Sequence, residues 1–293
     1  MSEFWIILTG ILTAVSCSLV GSFLVLRKNA MLGDAISHAV LPGLVLAFLI
    51  TGSRSVFPML LGASLFGLLT AFLAETLHRY GKVQQDASIG VTFTWLFALG
   101  VILVSLFTGQ VDLDQECVLY GEIAYVPWDV WLVGDVSLGP RAVWMIGGVL
   151  LCDLLFIYLC YKELKITTFD PLLADSLGIS TRKYHYLLMG FVSLTTVAAF
   201  ESVGAILVVA MLVAPAAAAY LLTDSLKAML IIASVIGVAS AVFGYLLSGS
   251  INGSIAGCMA VVAGILFFLA FLFSPLHGLF RHARLKNQFK EER

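Results

Sequence analysis

The sequence has few charged residues. Asp, Glu, Lys and Arg make up 12% of its 293 residues, against about 25% in typical soluble domains. Hydrophobic residues make up 60%, and the mean hydropathy is +1.03. Such a chain cannot cover a water-exposed surface with polar groups, and its apolarity extends over the whole length. The composition therefore predicts a polytopic membrane protein and excludes a soluble enzyme with a single anchor.

Several motifs are missing. The net charge is −2 and no basic run is interleaved with aromatics, which excludes nucleic-acid binding. Gly81 and Lys82 are followed by Val83, so there is no GxxxxGK[ST] loop for ATP. HExxH and GxSxG are absent too, which disfavours an intramembrane hydrolase. The cysteines occur singly, without a CxxC pair, and are interpreted as small core residues: Cys17, Cys117, Cys152, Cys160 and Cys258.

Long apolar runs predict the membrane helices. A transmembrane helix needs about 20 mainly apolar residues, and eight to ten such runs are present, with a best count of nine. They lie roughly at 4–26, 34–51, 56–78, 88–108, 142–161, 185–200, 203–222, 228–248 and 254–274. The division between 185–200 and 203–222 is the weakest, and one of the two could be a half-helix. The expected fold is an all-α polytopic bundle, with residues 1–276 as one domain.

Lys and Arg predict the orientation, because cytoplasmic loops retain positive charge. If Arg27 and Lys28 lie inside, the 162–184 loop and the basic tail 277–293 lie inside as well. Of the sixteen Lys and Arg residues, two then remain outside, Arg54 and Arg141. The N-terminus is then outside and the C-terminus inside. The 109–140 stretch then faces outward as an acidic loop. Its acids either attract the metal ion, dock a partner or only keep the loop soluble. Its acids are Asp112, Asp114, Glu116, Glu122, Asp129 and Asp135.

Asp34 and His38 form the first candidate site. Their i,i+4 spacing places both side chains on one face of the second predicted helix. A carboxylate with an imidazole suits Mn²⁺, Fe²⁺ or Zn²⁺. Pro42 and Gly43 follow one turn later and predict a helix break beside a cavity or neighbouring helices. The alternative, of about equal weight from spacing alone, is a capping Asp34 and a hydrogen-bonded interhelical His38.

Glu201 is a second ionisable residue between apolar runs. The helix count places it toward the external end, where it could line the way in for a metal. A helix-terminal carboxylate that reaches water is the simpler interpretation. Asp153 and Glu75 are weaker candidates: Asp153 could pair with a neighbour, and Glu75 could extend to the cytoplasm.

The 162–184 connection contains the start and stop signals of a short helix. Asp170 suits the N-cap, Pro171 the first helical position and Gly178 the residue past the last turn. About seven residues cannot span a membrane. Leu172, Leu173 and Leu177 would form an apolar face that inserts into a soluble partner. The alternative is a helix lying on lipid headgroups.

These motifs resemble, in the same order, those of the permease subunits of manganese, zinc and iron ATP-binding-cassette importers, which are similar in fold to the cobalamin and siderophore permeases. The matching stretches are 33–43 (GDAISHAVLPG), 119–123 (LYGEI, where the family usually has Phe and Asp), 170–178 (DPLLADSLG), and 201–208 (ESVGAILV) followed by Pro215. Together they cover most of the chain.

The resemblance implies that Asp34 and His38 form a metal site on the transport path. Glu201 is a weaker third candidate, from its position between apolar runs alone. It also implies that Asp170, Pro171, Leu172, Leu173, Ala174, Leu177 and Gly178 form the coupling helix that docks on a separate ATP-binding subunit. Pro42, Gly43 and Pro215 are the predicted helix breaks. The chain itself would not be an enzyme, and its only metal would be the transported ion.

The expected setting is the bacterial cytoplasmic membrane, with an external metal-binding protein and a second permease, identical or paralogous, as partners. The GxxxG pattern at Gly253 and Gly257 is a candidate packing face. The rival class is an ion-coupled secondary metal transporter, which usually shows two matching halves. No convincing internal repeat is present, and the sequence does not choose among Mn²⁺, Zn²⁺ and Fe²⁺.

Overall fold

Helices dominate the fold in a computed structural model that describes residues 2–52, 56–107, 123–133 and 136–274. The first five helices are α1 Ser2–Leu26, α2 Met31–Ala39, α3 Leu41–Thr51, α4 Val56–Gly81 and α5 Gln85–Phe107. A 3₁₀ helix, Ile123–Trp128, and two strands, β1 Val130–Val133 and β2 Val136–Pro140, come next. The remaining helices are α6 Arg141–Leu159, α7 Tyr161–Phe169, α8 Pro171–Ser176, α9 Thr181–Val203, α10 Ala205–Leu222, α11 Leu226–Ile251 and α12 Ile255–Phe273.

Nine helical segments of the described chain are long and apolar enough to cross a membrane, with α2 and α3 together forming one of them. Each corresponds to one of the predicted apolar runs, so the best count of nine is confirmed. The weakest division is real: α9 and α10 are separate helices of 23 and 18 residues. Neither is a half-helix.

The bundle has two ends, which we name after Trp5 and Arg27. At the Trp5 end, the ring of Trp5 lies against Gly139, just before α6. At the Arg27 end, Arg27 contacts the last turn of α7, and Ser274 donates a hydrogen bond to the carbonyl of Leu221. The described chain therefore starts at one end and finishes at the other, as an odd number of crossings requires. The N-out orientation predicts that the Arg27 end is cytoplasmic.

α1 and α10 form the centre of the bundle, and α1 also packs on α6, α9 and α11. Close helix approaches occur at glycines. A Cβ on Gly21 would overlap the carbonyl of Leu212 in α10, and a Cβ on Gly43 of α3 would overlap the carbonyl of Gly62 in α4. The predicted GxxxG pair does not form a face of one helix, because Gly253 precedes α12.

The predicted break at Pro215 is wrong, because α10 continues through this residue. Proline removes one helical hydrogen bond, and packing on neighbouring helices can support the rest. The sharp turn lies instead at Gly204, which alone separates α9 from α10 with φ 82°. Glycine adopts this conformation without the steric cost of a side chain.

Part of the chain differs from a purely helical expectation. β1 and β2 pair antiparallel just before α6, and α7 occupies Tyr161–Phe169 in the predicted 162–184 loop. The 109–140 acidic loop lies largely outside the described residues. Of its six acids, Asp129 is described, and it is exposed. The 277–293 tail also lies outside them.

Candidate functional site

Asp34 and His38 lie on the one face of α2 that the bundle leaves uncovered. Nε2 of His38 is 3.5 Å from Oδ1 of Asp34, and the two side chains are 31% and 40% exposed, respectively. The residues around them on α2 are buried: Leu32, Gly33, Ala35, Ile36, Ser37 and Ala39. The predicted i,i+4 pair is therefore present, on a face of α2 that the rest of this chain covers only in part.

Packing fixes the position of α2. Ser37 donates to the carbonyl of Gly33 at 3.0 Å, and Gly33 lies against the side chain of Leu212 in α10. The His38 ring lies beside Phe93 and Phe97 of α5, with centroid distances of 6.0 and 6.1 Å. These neighbours hold the imidazole in an apolar setting, which strengthens electrostatic interactions with any cation bound there.

The helix break beside the pair is present. α2 ends at Ala39, α3 begins at Leu41, and Pro42 lies in its first turn. Because Pro42 has no N–H, the carbonyl of His38 lacks the helical donor it would otherwise have four residues later.

Two ligands do not complete a metal site, because Mn²⁺, Zn²⁺ and Fe²⁺ take four or more. Within the described ranges, no group of three His, Cys, Asp or Glu side chains could hold a metal. Glu201 does not join the pair. It is exposed near the end of α9, and the charged groups that act on its carboxylate are Arg141 and Asp129. Its predicted place toward the Trp5 end fits this position.

The short helix forms where its start and stop signals predict. Asp170 accepts a hydrogen bond from the backbone N–H of Leu173 at 3.0 Å, Pro171 is the first residue of α8, and Gly178 follows with φ 78°. Leu172 is 83%, Leu173 47% and Leu177 60% exposed. Ala174 is buried and holds α8 against its neighbours.

A tether holds this helix on the bundle. Oδ1 of Asp175 accepts hydrogen bonds from the backbone N–H of Thr181 at 3.2 Å and from its hydroxyl at 2.9 Å. These bonds join α8 to the first residue of α9. The leucines therefore project from a segment whose backbone is fixed at both ends.

The sequence matches the model of the ABC 3 transport family over residues 3–274. The chain belongs to the ABC 3 transport family. The match covers every membrane-spanning helix described above except the first residue of α1. The fold, the Asp34–His38 pair and α8 are thus features of an ABC 3 family member.

Two curated relatives cover nearly the whole chain. It is 54% identical over 290 residues to the manganese transport system membrane protein MntD of Bacillus subtilis, covering 99% of this chain and 98% of that one. It is 46% identical to the zinc transport system membrane protein TroD of Treponema pallidum, covering 97% and 77%.

The fold is similar to solved transporter structures. PsaBC from Streptococcus pneumoniae, in complex with Fab, matches with a TM-score of 0.78 and 35% identity, covering 96% of this chain and 94% of that one. A transporter described as metal-chelate type, in an inward-facing conformation, matches with a TM-score of 0.62 at 17% identity. The second likeness concerns the fold alone.

Sequence reasoning missed several contacts of this family member. Asp153 is fully buried in α6 and accepts a hydrogen bond from Thr195 of α9 at 2.8 Å. Glu75 of α4 pairs with Arg79 and lies 3.8 Å from His185 of α9. Arg27, used above only for orientation, bonds to α7. Each contact joins residues far apart in sequence, apart from Glu75 with Arg79, so spacing carried no signal for them.

Proposed function

We propose that this chain is the transmembrane permease subunit of an ATP-driven importer that moves a divalent transition metal across the bacterial cytoplasmic membrane. The observation that carries the proposal is the Asp34–His38 pair, 3.5 Å apart and partly exposed within a membrane-spanning segment. Ionisable side chains inside a membrane-spanning segment are costly, and His38 lies one turn deeper in its segment than Asp34. Such a pair is retained where it lines a path for a cation.

A second permease copy or paralogue covers the exposed face of α2. Facing lipid, the exposed parts of Asp34 and His38 would have no polar partner other than each other, which is unfavourable in a membrane-spanning segment. Facing a partner, they would line a shared path, and the partner's own residues would supply the missing ligands. The face is suited to this arrangement because Phe93 and Phe97 surround the imidazole with apolar surface.

The other partners meet the two ends of the bundle. At the Arg27 end, the exposed leucines of α8 dock on an ATP-binding subunit, since this chain lacks the phosphate-binding loop. At the Trp5 end, an external metal-binding protein delivers the ion. Membership of an ABC family favours ATP-driven transport over an ion-coupled secondary carrier.

The cargo is Mn²⁺, Zn²⁺ or Fe²⁺. The curated relatives named above carry manganese and zinc in their names. A carboxylate and an imidazole bind all three ions, and cells select among them by geometry and availability as well as by affinity.

Uptake of each metal in cells that express the permease with its ATPase and binding protein tests the proposal. We expect His38→Ala and Asp34→Ala each to abolish uptake at limiting metal, while the protein remains inserted at normal levels. His78→Ala and Asp86→Asn are matched controls, because these residues lie at the exposed ends of α4 and α5. Normal uptake by either site variant would show that the path lies elsewhere.

A further inference from the structure

Arg27 connects the end of α1 to the segment that carries α8. Its Nε donates to the hydroxyl of Thr168 at 3.1 Å, and its Nη2 donates to the hydroxyl of Thr167 at 3.0 Å. Both threonines lie in the last turn of α7, and Asp170 follows directly as the cap of α8. One side chain thus joins residues about 140 positions apart.

The charge of Arg27 is held by hydroxyl groups. Burial lowers the pKa of its guanidinium to about 10. In the part of the chain that the structure describes, no carboxylate forms an ion pair with Arg27. The ion pairs present there are those of His38 with Asp34, Arg79 with Glu75 and His185 with Glu75. Removing a charge from water is costly. Hydrogen bonds to a charged group are stronger than neutral ones, so the two threonines are the contacts that offset this cost.

Both sides of this contact are rigidly attached to functional segments. On one side, the Thr167 hydroxyl donates to the carbonyl of Glu163 at 2.8 Å, and the N–H of Asp170 donates to the carbonyl of Ile166 at 2.8 Å. On the other side, the N–H of Asn29 donates to the carbonyl of Leu24, and the N–H of Leu32 donates to that of Asn29. α2 begins within this turn, with Asp34 in its first turn.

We propose that Arg27 is a positioning residue that transmits movement of α8 to α2, so that ATP-driven displacement of the docked helix changes the setting of Asp34 and His38. This inference rests on the proposed function. Rigid segments joined by a few polar contacts are the physical elements through which distant sites are coupled. Arg27 is such a contact, one turn of chain away from the start of α2.

The surroundings leave room for the movement. A cavity of about 180 Å³ lies at the same end of the bundle, between the ends of α1, α7 and α10 and the start of α11. Leu26 and Phe169, the neighbours in sequence of Arg27 and Thr168, both line it. The last turn of α7 therefore borders open space through Phe169.

The test uses the whole importer, with the ATPase and the binding protein reconstituted in liposomes and Mn²⁺ as the probe. Mn²⁺ uptake and ATP hydrolysis are measured together for Arg27→Gln, Arg27→Lys and the double variant Thr167→Val/Thr168→Val. Lys28→Gln is the matched control, since Lys28 is the exposed neighbour of Arg27. The ratio of Mn²⁺ moved to ATP hydrolysed does not depend on how much protein is folded.

We expect Arg27→Gln and the threonine double variant to keep ATP hydrolysis and to lower Mn²⁺ moved per ATP by at least about tenfold. Losing a single hydrogen bond to a charged group would have that effect, and both variants remove two. Arg27→Lys keeps the positive charge but has one donor nitrogen, so it should recover part of the lost Mn²⁺-to-ATP ratio. Combining Arg27→Gln with the threonine changes should add little, because both remove the same contact.

An unchanged ratio in Arg27→Gln or in the threonine variant would overturn the inference, and a lower protein yield with a normal ratio would assign Arg27 a purely structural role. Absence of ATP-dependent Mn²⁺, Zn²⁺ and Fe²⁺ uptake by the unmodified importer would instead contradict the proposed function. The two failures are therefore distinguishable.

Discussion

Docking of α8 on an ATP-binding subunit can be tested by removing its leucine face. Fully burying a leucine side chain contributes about 1.5–3 kcal/mol. Leu172 is 83% and Leu173 47% exposed, so burial against a partner would remove most of the first side chain and half of the second from water. Scaled by these fractions, the two leucines contribute about 2–4 kcal/mol together.

Leu172→Ala/Leu173→Ala should therefore raise the dissociation constant of the ATPase by at least about tenfold, since 1.4 kcal/mol is tenfold in affinity. The assay is titration of purified ATPase onto labelled permease in detergent. Leu151→Ala is the control. Leu151 is 69% exposed, but it lies in the middle of the spanning helix α6, far from the ends of the bundle. The same metal occupancy in all variants would show that the Asp34–His38 pair is intact.

An unchanged dissociation constant for the double variant would count against the reasoning, unless Leu177, the exposed leucine that directly follows α8, makes up the difference. The triple variant with Leu177→Ala closes that gap. If the ATPase still binds normally, α8 lies on lipid headgroups instead, which is the alternative left open by the sequence.

Three further results are expected. Asp170→Ala removes the cap of α8, which costs about 1 kcal/mol, so ATPase affinity should fall severalfold while the leucines remain, as the same titration would reveal. Asp34→Glu keeps the charge but moves the oxygens by one methylene, so uptake should persist at a lower rate with a changed preference among Mn²⁺, Zn²⁺ and Fe²⁺; wild-type preference would argue against direct ligation. Neutralising Asp112, Asp114 and Glu116 of the external loop should slow uptake at low salt and matter little at high salt, because exposed charges are already screened beyond about 8 Å at physiological ionic strength. An identical salt dependence of uptake in the wild type and the triple variant would exclude steering by these acids.

Local features of the chain were predictable. Apolar runs defined the nine spanning segments because each must be long enough to cross a bilayer, and Asp170, Pro171 and Gly178 marked α8 because capping involves residues a few positions apart. The Asp34–His38 pair was predictable for the same reason, since i,i+4 residues share a helix face wherever that helix packs. The sequence alone thus determined which segments are helical and which residues within one helix lie together.

Only the tertiary structure decided which helices meet and which face of each helix is in contact. A helix that is apolar all round gives no periodic signal to distinguish a buried face from a lipid-facing one. For this reason the sequence could not show that α10 continues through Pro215 or pair Arg27 with Thr167 and Thr168. These outcomes depend on packing between segments distant in sequence, where a glycine such as Gly21 lets two backbones approach closely.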